Sequence, residues 1–245
     1  MPLDLNGNII SSGSVSSGYF KNSIITNGLI LHLDAGNKNS YPGSGTTWYD
    51  LSSYGTNGTL INGVSFSSSN GGSLSFDGAD DYATISSHSN INLSEGTICA
   101  WVRYTNIATN RVVVSYGGNN SNNGFLLQNE NDVSTKIGFG INRTNGWSSV
   151  YVGNTVSSPL VNTWIYQVGW YNLTQSKIFI NGYLYNMATV SSATLTSATN
   201  LWLGNEPGRS YNFVGNIGAV HIYNRAISTA EILNNYYSTK ARFGL

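Results

Sequence analysis

The chain has 245 residues, a formal net charge of zero and only 9% charged residues. Without a cluster of Lys or Arg, its surface has little attraction for a phosphate backbone or an anionic bilayer, so we expect no nucleic acid and no membrane as a partner. The single cysteine, Cys99, cannot form an intrachain disulfide and suits synthesis in a reducing compartment.

The first 27 residues are rich in Ser, Asn and Gly and hold too little apolar sequence for a core of their own. We interpret residues 1–27 as an arm that attaches the protein to a partner subunit, with an unattached terminus or an extra edge strand as the alternatives. The segment lacks the basic start and the apolar stretch of ~7–15 residues that a secretory signal needs. We therefore expect synthesis without a signal peptide.

From residue 28 to residue 245 the pattern is that of one all-β domain. Short apolar or aromatic runs alternate with clusters of Gly, Asn and Ser, at a spacing typical of antiparallel sandwiches. The runs predict strands at residues 28–33, 73–76, 96–104, 111–116, 124–128, 136–141, 149–152, 163–171, 176–180, 200–203 and 215–223. Asn181-Gly182 separates two apolar stretches and predicts a two-residue hairpin turn with positive φ.

The helix signal comes near the C-terminus. Ser228-Thr229-Ala230-Glu231 has the spacing of a capping box, in which the serine hydroxyl and the glutamate carboxylate cap each other's backbone amides. Apolar residues then recur at three- and four-residue intervals, which predicts a helix that packs one face on the sandwich. They are Ile232, Leu233, Tyr236 and Tyr237.

Two segments resemble a known family. Phe76-Asp77-Gly78-Ala79-Asp80-Asp81-Tyr82 and Phe213-Val214-Gly215-Asn216-Ile217-Gly218-Ala219-Val220 are similar to the acidic turn and the closing strand of laminin-G-like, concanavalin-A-like jelly rolls. The resemblance implies an antiparallel β-sandwich with a short C-terminal helix. Leu33-Asp34-Ala35-Gly36-Asn37 followed by Tyr41-Pro42-Gly43-Ser44-Gly45 looks particularly like the sandwich domains of tailed-bacteriophage virion proteins.

A structural calcium ion is the first site hypothesis. Calcium takes six to eight oxygen ligands, and adjacent Asp80 and Asp81 repel each other unless something compensates their charge. Relatives with this acidic turn often hold such an ion, so we predict Asp34, Asp80 and Asp81 as ligands that pin the N-terminal strand to the sandwich. The alternative is a turn in which the aspartates cap backbone amides without metal. We predict that role for Asp77 and Asp50.

Glycan binding is the second hypothesis, because sugars stack on aromatic rings while short polar side chains bond their hydroxyls. The best cluster is Trp147 and Tyr151 with Arg143 and Asn145, in a stretch too polar for a core, and Tyr116 is a further candidate. Exposed aromatic residues equally mark subunit contacts. In contrast, the apolar patterns around four other tryptophans predict core positions: Trp101, Trp164, Trp170 and Trp202.

Catalysis is not expected. Glu130-Asn131-Asp132 begins like the Glu-x-Asp-x-x-Glu motif of glucanases that share this topology, but Thr135 stands where the second glutamate belongs. Glycoside hydrolysis in such enzymes uses two carboxylates. The chain is therefore predicted not to be an enzyme.

The sequence favours a non-enzymatic structural protein on the virion exterior, either a capsid decoration or part of a fibre or tail appendage. Its partners would be other virion proteins, contacted through the arm or a sandwich face, and a homotrimer would suit the particle's symmetry. The alternative is a carbohydrate-binding adhesin or module that recognises a bacterial surface polysaccharide.

Overall fold

The structure is a computed structural model that describes residues 23–86, 90–91, 94–117, 124–130, 136–143, 146–151, 161–190 and 200–245. The strands are β1 Leu29–Asp34, β2 Thr47–Trp48, β3 Gly58–Ile61, β4 Ser65–Ser67, β5 Ser73–Asp77, β6 Tyr82–Ser86, β7 Gly96–Tyr104, β8 Arg111–Tyr116, β9 Gly124–Glu130, β10 Lys136–Arg143, β11 Gly146–Tyr151, β12 Trp164–Tyr171, β13 Gln175–Ile180, β14 Tyr183–Thr189, β15 Asn200–Leu203 and β16 Val214–Tyr223. One α-helix, α1, spans Thr229–Thr239, and a 3-10 helix follows at Lys240–Phe243.

The strands form two antiparallel sheets that pack face to face. The sheet that carries α1, called here the helix-covered sheet, has the order β14-β13-β12-β7-β16-β5-β4, and β1 also pairs with β16. The opposite sheet has the order β11-β10-β9-β8-β15-β6-β3-β2. The predicted all-β sandwich of jelly-roll type with a short C-terminal helix is confirmed.

Strand β12 shows why the sequence of a central strand is apolar along nearly its whole length. Its eight residues are all buried, because one face lies between the sheets and the other lies under α1. Ile165 and Tyr171 belong to the core between the sheets, and Trp164 and Trp170 belong to the core under the helix. Trp202 is only half-buried, so its prediction as a core residue is wrong.

The helix forms as the capping signal predicts. The Ser228 hydroxyl accepts a hydrogen bond from the Glu231 amide at 3.3 Å, and the Glu231 carboxylate accepts one from the Ser228 amide at 2.7 Å. Ile232 and Tyr236 then pack against the sheet, where Cys99 is a buried core residue. Burial raises the pKa of the Cys99 thiol to about 12, which keeps it protonated.

The hairpin between β13 and β14 is also confirmed. Asn181 and Gly182 have φ values of 53° and 84°, in the left-handed region that such a turn requires. The turn lies directly under the helix, since a Cβ on Gly182 would come within 2.7 Å of Leu233 Cδ1. Glycine is thus needed here for both its backbone angle and its size.

Of the predicted arm, residues 1–22 lie outside the described part of the chain. Residues 23–27 lie against the chain's own helix and sheet. The Ile25 amide donates to Asn235 Oδ1 at 2.8 Å, and the Asn234 side chain donates to the Ser23 carbonyl at 3.0 Å. Among the described residues, no helix has the length and hydropathy needed to cross a membrane.

Candidate functional site

The acidic turn joins β5 to β6 at one end of the helix-covered sheet. Asp77, Asp80 and Asp81 each place a carboxylate oxygen within 4.8 Å of the others. Asp77 and Asp80 are exposed, whereas Asp81 is buried. The turn therefore places two exposed carboxylates beside a third that water scarcely reaches.

Only one oxygen of Asp81 is satisfied. Its Oδ2 accepts a hydrogen bond from the Asp77 amide at 3.0 Å, while its buried Oδ1 has no partner among the described residues. Burial raises the pKa of the Asp81 carboxyl, and the negative charges of Asp77 and Asp80 add to this effect against the lowering by the Asp77 amide. An unsatisfied buried carboxylate oxygen inside an acidic cluster fits a hard cation such as calcium, which binds oxygen ligands.

Asp77 has a turn-forming role as well. Its Oδ1 accepts from the Ala79 amide at 2.7 Å, as expected for an aspartate that caps a turn. The sequence predicts only the turn-forming role of Asp77, and its place in the acidic cluster is seen only in the structure.

Asp34 does not belong to this cluster. It pairs with Ala219 of β16, whereas Asp77 pairs with Val214 of the same strand. Five residues of strand separate them by roughly 15 Å. The prediction that Asp34 shares an ion with Asp80 and Asp81 is wrong for this reason.

Arg242, and not a metal ion, attaches the end of β1 to the rest of the sandwich. Its guanidinium forms an ion pair with Asp34 and donates to the carbonyl oxygens of Gly72 at 2.7 Å and Gly218 at 3.2 Å. One cation thus ties the end of β1 to β16 and to the loop before β5. The Asp34 to Arg242 pair spans 208 positions, so no local pattern indicates it.

The predicted aromatic cluster is only partly within the described residues. The backbones of Trp147 and Tyr151 lie in β11, the edge strand of the opposite sheet, paired with Asn142 and Gly138 of β10. Arg143 pairs with Gly146 at the end of the same hairpin. Asn145 and the side chains of the other three lie outside the described part, so this cluster stays a prediction.

Tyr116 is corrected by its burial. Its ring is 3% exposed and stacks on Phe125, with 5.4 Å between the ring centroids. Both rings belong to the core between the sheets. The alternation of side chains along a strand could have indicated this burial. Tyr116 stands two residues after Val114, which faces the core between the sheets. A surface sugar cannot reach this ring.

A group of exposed apolar side chains on strand β14 was not predicted. Strand β14, at the free edge of the helix-covered sheet, carries four exposed large hydrophobic side chains, called here the β14 surface. They are Tyr183, Leu184, Tyr185 and Met187. In the sequence this run looks like any half-buried strand, and only the strand order shows that, among the described residues, β14 ends its sheet.

Two of the four glutamates are engaged in structural contacts. Glu231 forms an ion pair with Arg225, with a shortest N–O distance of 2.6 Å. The hydrogen bonds from Arg225, and to a smaller extent those from Ser228, lower the pKa of the Glu231 carboxyl to about 2. Glu206 is almost fully buried and faces Arg209 at 3.6 Å. Burial raises the pKa of the Glu206 carboxyl, and Arg209 opposes this.

The comparisons with known proteins agree with this fold. The sequence model of the concanavalin A-like lectin/glucanases superfamily matches residues 77–233. The chain belongs to this superfamily. The match runs from the acidic turn to the middle of α1 and covers strands β6 to β16. A comparison with curated proteins finds no match.

Solved structures of the same fold include toxin domains and part of an enzyme. The binding domain of Paraclostridial Mosquitocidal Protein 1 has a TM-score of 0.69 at 17% identity, over 86% of this chain and 52% of that one. The binding domain of botulinum neurotoxin serotype G has a TM-score of 0.67 at 17% identity, over 85% and 50%. The chain thus spans about half the length of these toxin domains.

A third structure matches over its full length. It is domain 4 of AbnA, a GH43 extracellular arabinanase from Geobacillus stearothermophilus, in complex with arabinotriose. Its TM-score is 0.67 at 14% identity, over 86% of this chain and all of that one. At 14–17% identity, the similarity to these three solved structures concerns the fold alone.

Proposed function

We propose that the chain is a non-enzymatic attachment module that binds carbohydrate through the β14 surface, displayed on the exterior of a phage particle. The observation that carries this proposal is the exposure of Tyr183, Tyr185 and Met187 on the last strand of the helix-covered sheet. Exposed apolar side chains that are grouped on one strand are typical of interaction sites. Tyrosine in particular combines a face for stacking with a hydroxyl for hydrogen bonds.

The neighbours of the β14 surface are suited to sugars. The Tyr183 hydroxyl lies 3.5 Å from the Tyr237 hydroxyl of α1, so two phenols present polar groups side by side. The Lys240 ammonium lies 4.8 Å from the centre of the Tyr237 ring. Polar groups beside aromatic faces are what a pyranose requires. The arabinotriose complex of AbnA domain 4 supports this reading for the fold.

The phage setting is supported by the resemblance of the segments around Asp34 and Tyr41 to virion sandwich domains. In that setting residues 1–22 and one sandwich face would contact other virion proteins, and the copies would assemble as a homo-oligomer such as a trimer. The same setting suits a protein made in the host cytoplasm.

The absence of catalysis is likewise our proposal. Glu231 is held by Arg225, and Glu206 is buried beside Arg209, so neither is placed to act on a substrate. Incubation of the purified protein with bacterial polysaccharides tests this, since release of reducing ends would show an enzyme.

We also propose a structural calcium ion at the acidic turn. Asp77, Asp80 and Asp81 would supply carboxylate oxygens, and the ion would offset their mutual repulsion and satisfy Asp81 Oδ1. Such an ion would stiffen the connection between β5 and β6.

A glycan array followed by affinity electrophoresis tests the binding function. We expect the wild type to bind at least one bacterial polysaccharide and Tyr185→Ala to weaken this binding roughly five- to tenfold, by loss of about 1 kcal/mol of stacking. Tyr54→Ala is the matched control, because Tyr54 is similarly exposed but lies in the loop after β2. Trp147→Ala tests the cluster predicted from sequence.

The alternative is a scaffold whose β14 surface packs on a neighbouring subunit. It is favoured if no glycan binds and Tyr185→Ala instead lowers the oligomer size measured by light scattering.

A further inference from the structure

A cleft of about 410 Å³ lies on the outer face of the helix-covered sheet, where α1 begins. Its floor is formed by Trp170 of β12 and Phe179 of β13, and one wall by Arg225, Ser228 and Glu231. The volume lies within the ~300–1,000 Å³ typical of small-molecule sites. Its size and its aromatic floor suit a short stretch of glycan.

The wall on the helix side is electrically neutral. Arg225 donates to both carboxylate oxygens of Glu231, at 3.0 and 2.6 Å, and through Nε to the Asn27 carbonyl at 2.9 Å. Glu231 in turn caps the Ser228 amide. These charges are therefore committed to each other and to the helix cap.

Lys177 adds a positive charge to the cleft. Its ammonium lies 4.1 Å above the centre of the Trp170 ring. Within the described part of the chain, Lys177 has no ion pair with a carboxylate. Because the ring removes water from one side of the ammonium, an anion here would be attracted more strongly than at an open surface.

Two residues that line the cleft are paired with residues of the β14 surface. In the β13–β14 register Lys177 stands opposite Met187, and Phe179 stands opposite Leu184. Paired residues of an antiparallel sheet point to the same face, with Cβ atoms about 5 Å apart. An exposed apolar rim thus lies next to the unpaired cation.

We propose that this cleft binds a carboxylate-bearing sugar of the hexuronic acid class within a polysaccharide. The sugar carboxylate accepts hydrogen bonds from the Lys177 ammonium, and the apolar face of the ring lies against Met187 and Leu184. This inference rests on the proposed function and deepens it, because it gives the β14 surface a preference for acidic glycans.

Isothermal titration with two trisaccharides tests the inference. One is built of galacturonic acid, and the other is the galactose trisaccharide of the same linkage. We expect the wild type to bind the acidic form about tenfold more tightly, with an affinity that falls as salt is added. Lys177→Met, which keeps the apolar stem, is expected to reduce the acidic affinity to the neutral level.

Two control variants make the result specific. Lys177→Arg keeps the positive charge and is expected to retain the acidic preference. Lys38→Met removes one positive charge at an exposed position outside the cleft and is expected to change nothing. Thermal melting of each variant confirms that the domain is folded.

The inference is overturned if the wild type binds both trisaccharides equally, or neither, or if Lys177→Met keeps the acidic preference. If the array still shows glycan binding that depends on Tyr185, only the preference for acidic sugars is overturned, and the proposed function stands. A blank array of neutral and acidic glycans overturns the proposed function as well.

Discussion

Arg242, three residues before the last, forms an ion pair with Asp34 at the end of β1. Around it, the carbonyl oxygens of Asn70, Gly72 and Gly218 accept hydrogen bonds from the same guanidinium. The C-terminal segment therefore closes the junction at which β1 and β5 meet on the edge of β16.

Arg242→Met is expected to destabilise the domain by about 2 kcal/mol, because hydrogen bonds to a charged group are each worth about 1.5–3 kcal/mol and part of this is returned by water. Urea unfolding measures the change. Arg242→Lys is expected to fall in between, since it keeps the charge but loses the planar fork. An unchanged unfolding midpoint in Arg242→Met would contradict the role given to this residue.

Gln167 is expected to be a second point of high sensitivity. Fully buried between the sheets, it accepts from the Tyr104 hydroxyl at 2.8 Å and donates to the carbonyl oxygens of Gln128 and Gly138 on the opposite sheet. Gln167→Met keeps the volume and leaves these groups unsatisfied, each at a cost of about 1–3 kcal/mol.

We expect Gln167→Met to lose roughly 3 kcal/mol in chemical denaturation and Tyr104→Phe about 1 kcal/mol. The double variant should cost less than the sum, because both changes remove the same hydrogen bond. Strict additivity of the two changes would show that the pair does not act as a unit.

Local features were predictable from sequence, and relations between distant segments were not. The Asn181-Gly182 turn and the Ser228 cap depend on neighbouring residues, so their patterns identify them directly. Exposure of Tyr185 depends on β14 being the last strand of its sheet, and the partner of Asp34 depends on where residue 242 lies. Both are properties of the assembled sandwich. Tyr116 was misassigned because it ends its strand just before the polar residues Asn119 and Asn120, whereas strand pairing buries its ring.

Stability is expected to fall between about pH 7 and pH 5 because of two histidines. His32 and His221 face each other across β1 and β16, with 4.8 Å between ring centroids. Burial lowers the pKa of both, most strongly for His221, where the charges of His32 and Arg242 act in the same direction. In His32 the carboxylates of Asp34 and Asp50 oppose the shift.

The direction follows from these shifts. The folded state holds the histidines neutral, so their contribution is complete above the unfolded pKa of about 6.5 and is lost below it, at up to ~1.4 kcal/mol per pH unit for each proton. Glu231, with a pKa of about 2, contributes a loss only below the unfolded value of about 4.5. Asp81 and Glu206, whose pKa values are raised, act in the opposite direction as the pH falls.

Guanidinium unfolding at a series of pH values measures this dependence. His221→Asn is the matched variant, and its free energy of unfolding is expected to depend less steeply on pH in the same window. Parallel curves for the two proteins would show that His221 does not cause the loss.

Calcium is expected to raise the melting temperature of the wild type, and a chelator is expected to lower it. An ion that binds only the folded state stabilises it by about 2.7 kcal/mol at a concentration one hundred times its Kd. Asp80→Asn should weaken the effect because it removes one carboxylate from the cluster. Arg242→Met should leave the calcium-dependent shift intact, although its starting stability is lower, because Asp34 lies roughly 15 Å from the acidic turn. Calorimetric scans with calcium, magnesium and EDTA separate these cases, and identical transitions in all three would rule out a tightly bound ion.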